Sequence, residues 1–121
     1  MSPDDLIRLR HMAGAAQDAL SFVRGRQRGD LDTDTMLRFA LTRAVEIVGE
    51  AAAKVSAAGR AAAPEIEWPV IVGMRNRLVH AYFDINTDIL WNTVTISLPV
   101  LLQQLRAIEG VGEDTDPGGG G

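Results

Sequence analysis

No cysteine occurs among the 121 residues. That removes disulfides, thiolate zinc ligands and a thiol nucleophile, and it fits a reducing compartment, so a cytoplasmic location is expected. The opening Met1-Ser2-Pro3-Asp4-Asp5 lacks the basic stretch of a secretory leader. No apolar run approaches the roughly 20 residues that span a bilayer, so no membrane association is expected. Positive charge is in deficit, with a net charge of −4. Bulk attraction to nucleic acid is thereby excluded, and any RNA contact has to come from a local cluster of arginines. The two histidines, His11 and His80, fall on separate predicted helices without carboxylates at ligand spacing, so neither a metal nor another cofactor is expected. The four closing glycines follow no strand and open no helix, which excludes a phosphate-binding loop. No period-two alternation or internal repeat is present, so strands are not expected.

What is present is helical. Ser2 as cap, Pro3 at the first position and Asp4 and Asp5 in the first turn announce a helix running to about Val23. Leu6, Leu9, Ala13, Ala16, Leu20 and Val23 form its buried stripe, and Gly25 stops it. A polar connection with Arg24, Arg26 and Arg28 leads to a second helix, capped by Asp32 or Thr33 and reaching about Ser56. Its apolar face is Leu37, Leu41, Ala44, Val45 and Val48. Gly49 and Ala51 to Ala53 are small enough to admit a close neighbour, while Arg43, Glu46 and Glu50 make a polar side. Ala57 to Trp68, broken by Gly59 and Pro64, is read as a loop. A third helix covers about Pro69 to Tyr82. A fourth, capped by Asn86 or Thr87, runs to Ile108 with a kink expected at Pro99. The expected fold is all-α, a compact antiparallel bundle of about four main helices in one domain over residues 1–109, followed by a flexible Gly-rich tail over 110–121.

The chemistry is concentrated in Gly73-Met74-Arg75-Asn76-Arg77-Leu78-Val79-His80-Ala81-Tyr82-Phe83. On a continuous helix Arg75 lies at the edge of an apolar stripe beside Ile71, Leu78 and Tyr82, and Asn76 and His80 stack one turn apart. Each residue alone has an ordinary role. Arg75, which cannot shed its charge, would pair with Glu46 or Glu50 or reach past Val79 to water. His80 would meet the free carbonyls of a helix end, and Tyr82 would pack its ring with the hydroxyl at the rim. Arg24, Arg26 and Arg28 read as a solvated basic turn.

Together, Arg75, Asn76, His80 and Tyr82 resemble the R-x4-H-x-Y signature of HepT-like HEPN proteins. The similarity extends to Glu46-Ile47-Val48-Gly49-Glu50-Ala51, Pro64-Glu65-Ile66 and Ile89-Leu90-Trp91, over roughly residues 4 to 109. Ala81 stands where glycine is commoner in that family. The resemblance implies the toxin component of a toxin–antitoxin system: a metal-independent endoribonuclease acting on an RNA substrate as a homodimer, with Arg75 and His80 catalytic and Asn76 supporting. It further implies that an MntA-like nucleotidyltransferase antitoxin silences the toxin by transferring AMP to Tyr82. The residue types suit the reaction, since cleavage by a 2′-hydroxyl needs a proton-handling group and a cation at the phosphate. On an ideal helix Arg75 and His80 point about 140° apart, so dimerisation, a distorted helix end or the reach of Arg has to bring them together. The competing reading is a non-catalytic helical module that binds nucleotides or presents a substrate to a nucleotidyltransferase.

Overall fold

The computed structural model describes residues 1–81 and 84–112, with the backbone alone described at 79–81 and 84. Helix α1, Pro3–Phe22, starts as the sequence predicts: Ser2 is extended, its hydroxyl accepts the Asp5 N–H at 3.1 Å, and Pro3 occupies the first turn. Leu9, Ala13 and Ala16 are buried as expected, but so are Met12, Ala15 and Ala19. The reason is that α1 is covered on two sides, by the long α3 (Thr35–Ala53) and by α8 (Leu98–Arg106). A helix enclosed in that way buries more than one stripe. At Gly25 the chain turns with φ of 75°, a conformation in which a Cβ would be strained.

The second predicted helix is two. A single turn, α2 (Asp30–Thr33), ends at Asp34, whose extended backbone lets its carboxylate accept the Leu37 N–H at 3.0 Å and cap α3. Asp34, and not Asp32 or Thr33, is thus the cap of α3, and it also pairs with Arg26. The segment read as a loop contains α4 (Ala57–Ala61), capped by Ser56, whose hydroxyl accepts the Gly59 N–H at 3.0 Å.

The largest correction falls on the third predicted helix. It is divided into α5 (Trp68–Val72) and α6 (Met74–Leu78), and a short antiparallel pairing of β1 (Val79–Ala81) with β2 (Asp84–Ile85) follows. Gly73 separates the helices, and the Asn86 N–H donates to the Leu78 carbonyl at 2.7 Å, drawing the chain out of helix there. This small ladder is an exception within an otherwise all-α fold. Asn86 caps α7 (Thr87–Asn92) as expected, accepting the Ile89 N–H at 2.9 Å. A π-helical turn, Thr93–Ser97, then leads directly into α8. Pro99 lies in the first turn of α8, directly after the π-helical turn, so the helix changes its hydrogen-bond register where the proline lacks an N–H.

Leu9, Leu41, Val45, Met74, Leu98 and Leu105 belong to one continuous core. The described chain still packs beyond Gly110, where a φ of 93° turns it so that Val111 is fully buried. Residues 113–121 of the expected tail lie outside the described residues. No helix among the described residues is long and apolar enough to cross a membrane.

Candidate active site

The segment that carries Arg75 and Asn76 leans on α3. Gly49 and the alanines that follow it let α3 approach α5 closely: a Cβ at Gly49 would lie 3.4 Å from the Val72 carbonyl oxygen. Along this seam Glu46, Gly49, Glu50 and Ala53 of α3 face Val72, Arg75 and Asn76 across a shallow cleft of about 230 Å³. Met74 and Leu78, one turn apart, bury α6 against the core, and this turns Arg75, Asn76 and Arg77 outward.

Arg75 is 55% exposed, and its Nε donates to Glu46 Oε2 at 3.0 Å. Among the described residues that is its hydrogen-bond partner, which leaves the two Nη groups uncommitted. Glu46 is the hinge of a small network, because Arg43 Nη1 reaches its other oxygen at 3.4 Å and Glu50 Oε2 at 3.3 Å. The partner expected for Arg75 on simple desolvation grounds is thus present. Its effect is to hold the guanidinium by one edge while leaving the fork free for a bidentate anion.

The continuous helix on which Asn76 and His80 were expected to stack is not formed, because α6 ends at Leu78 and His80 belongs to β1. The angular separation derived for an ideal helix no longer applies to Arg75 and His80. A helix end between them was one of the arrangements that the spacing allowed. Tyr82 lies outside the described residues. Among the described residues no group of three His, Asp or Glu is placed to share a metal ion.

The basic turn has a structural part that the sequence reading missed. Arg28 donates to Asp32 at 2.8 Å, to Asp88 at 2.6 Å and to Thr87 at 2.7 Å, joining α2 to α7. The two carboxylates raise its pKa further above the ordinary value, Asp32 having the larger effect. Asp5 was likewise read only as a helix-end charge. It is buried, and accepts the Ser56 N–H at 2.9 Å and the Ser56 hydroxyl at 2.6 Å, fastening α1 to the start of α4. Partners 51 residues apart leave no periodic trace in a sequence.

The HepT-like family, described as "Ribonuclease HepT-like", matches residues 12–108, from α1 through the end of α8. The chain belongs to the HepT-like ribonuclease family. Among its HepT-like relatives, "Putative RNase MJ1380" of Methanocaldococcus jannaschii is 31% identical over 94 residues, covering 78% of this chain and 86% of the relative. "Putative RNase TTE0752" of Caldanaerobacter subterraneus is 32% identical over 100 residues, covering 83% and 89%. "Probable ribonuclease HepT" of Thermococcus cleftensis is 39% identical over 72 residues, covering 60% and 66%. No solved structure matches the chain. The HepT-like match contains the whole Arg75 to Tyr82 segment, the Glu46 network and the α3–α5 seam that carries them.

Proposed function

We propose that this HepT-like chain is a metal-independent endoribonuclease, the toxin of a toxin–antitoxin pair, which an MntA-like nucleotidyltransferase silences by adding AMP to Tyr82. The observation that carries the reading is Arg75: a guanidinium at an open cleft within the family-matched span, held through Nε by Glu46 with no partner on its Nη groups among the described residues. In the proposed reaction the 2′-oxygen of RNA bonds to the adjacent phosphorus, and the P–O5′ bond breaks. His80 accepts the 2′-hydroxyl proton and a histidine returns a proton to the departing 5′-oxygen. Arg75 stabilises the charge that builds on the non-bridging oxygens, and Asn76 donates to the phosphate or orients His80. Arg75 and His80 thus supply the cation and the proton relay for which other nucleases use a bound metal. Pairing of two protomers would bring two copies of His80 to one cleft, which suits a reaction with one proton removed and one delivered. AMP on Tyr82 would place a phosphate beside Arg75 and compete with RNA for it.

The test uses the purified chain and single-stranded RNA in excess chelator. The parent and Tyr82→Phe should cleave, while Arg75→Ala and His80→Ala should be inactive. After co-expression with the cognate nucleotidyltransferase, mass spectrometry should find AMP on the parent and none on Tyr82→Phe. RNA that is bound without being cleaved would overturn the enzymatic reading in favour of a presenting module. Cleavage that is lost in chelator and restored by one added ion would overturn metal independence.

A further inference from the structure

The polar side of α3 carries two large apolar side chains in the open. Met36 is 84% exposed and Phe39 60%. With about 100° per residue, Met36, Phe39, Arg43, Glu46 and Glu50 fall within one narrow stripe of the helix, and Phe39 stands about 10 Å along the axis from Glu46. Since Glu46 holds Arg75, the stripe runs directly into the candidate active site.

Arg38 distinguishes this patch from scattered surface apolar residues. Its guanidinium carbon lies 5.9 Å from the centre of the Phe39 ring. Its hydrogen bonds run to neutral oxygens, the Leu31 carbonyl at 2.7 Å and the Thr35 hydroxyl at 3.5 Å. Arg26, Arg28, Arg43 and Arg75 all have a carboxylate partner, whereas Arg38, like Arg60 and Arg106, bonds neutral oxygens among the described residues; Arg60 lies over the buried Trp68 ring and Arg38 over the exposed Phe39 ring. An exposed ring beside an uncompensated, tethered cation suits a partner that offers both π-faces and phosphates. A second copy of this chain would cover the ring without using this cation, and the mass measurement below distinguishes that occupant.

We propose that the Met36–Phe39–Arg43 stripe of α3 is a stacking platform for single-stranded RNA, with a base on the Phe39 ring, the neighbouring backbone drawn by Arg38, and the strand continuing toward Arg75. The inference rests on the ribonuclease reading and adds a substrate-binding surface to it. Unpaired strands are selected because a base can reach the ring only when it is not stacked in a duplex.

The test is fluorescence anisotropy with a short single-stranded RNA made uncleavable by 2′-O-methyl groups, and with the corresponding duplex. Phe39→Ala and Phe39→Leu should each weaken single-strand binding about tenfold, the order of one lost base–aromatic stack, while Phe39→Trp retains it. Duplex binding should be weak and insensitive to all three. Arg38→Gln should lower the salt slope of binding by about one. Circular dichroism checks that these surface variants fold, and light scattering follows their mass. A Phe39→Ala variant that binds as the parent does, beside a parent that cleaves RNA, overturns the platform and leaves the ribonuclease reading intact. A parent that neither binds nor cleaves overturns both. Loss of binding accompanied by a halved mass identifies the stripe as an interface between copies and overturns the platform.

Discussion

The Glu46–Arg75 pair raises a question of availability: a guanidinium locked to a carboxylate would be a poor phosphate ligand. At 3.0 Å, with Arg75 55% and Glu46 25% exposed, the pair belongs among water-screened surface contacts worth ~0.2–1 kcal/mol. A phosphate that takes charge-assisted hydrogen bonds from the uncommitted Nη groups gains about 1.5–3 kcal/mol for each. RNA should therefore engage Arg75 without displacing Glu46, whose role is to aim the fork. In Glu46→Gln the amide oxygen still accepts from Nε while one negative charge leaves the cleft. Unfolding free energy in urea should change by less than about 1 kcal/mol. Affinity for uncleavable single-stranded RNA should rise by no more than about fivefold, the equivalent of the lost pair. Glu46→Ala removes the same charge and the Nε acceptor as well, so binding should rise similarly while the cleavage rate falls. A gain well beyond tenfold in Glu46→Gln would show the pair to be a lock. A stability loss above about 2 kcal/mol, outside the range of a surface pair, would show it to be a structural clamp. Either result refutes the reasoning.

Three further outcomes are expected. Leu78 is fully buried where α6 ends, so Leu78→Ala should cost roughly 2–5 kcal/mol in chemical denaturation, whereas exposed Arg77→Ala should stay within about 0.5 kcal/mol. Gly59→Ala introduces a Cβ 2.5 Å from Asp5 Oδ2 and 2.9 Å from Val55 Cγ1; it should destabilise by roughly 1–3 kcal/mol despite the better helix propensity of alanine, and a neutral result would mean that the α1–α4 contact yields easily. The Ser56 N–H, and after it the Ser56 hydroxyl, hold the Asp5 carboxyl below its ordinary 3.8 against the opposing effect of burial. A depressed folded pKa gives stability that is fully present above 3.8 and fades as the pH falls through the folded value. Asp5→Asn should therefore lower the Tm at neutral pH and converge on the parent in strong acid, and an unchanged gap across the titration would show that the charge is not what matters.

Much of the fold was legible where its cause is local. Ser2 and Asn86 cap because a short polar side chain can satisfy N–H groups three residues on, and that spacing is visible in a string of letters. The small residues around Gly49 announced a close approach for the same reason: absence of bulk is a property of the residue itself. Arg75 was legible twice over, as part of a family signature and as a charge that had to find an acid, with Glu46 among the named candidates.

What the letters left open are choices between local options of similar energy, and these were decided by contacts across the fold. Asp32, Thr33 and Asp34 can each cap a helix; Asp34 does so where Arg26 meets it. The apolar spacing from Pro69 to Tyr82 permits a single helix, yet Gly73 and the hydrogen bond from Asn86 to Leu78 end it early and place His80 on a strand. The Asp5–Ser56 tie, the Arg28 bridge and the Glu46–Arg75 pair span 51, 60 and 29 residues. Sequence by itself determined which residues carry charge, close a turn or fill a core, because those are properties of single residues and short spacings. Only the tertiary structure decided which of them meet, because the energy of a long-range contact exists only once the chain has brought its partners together.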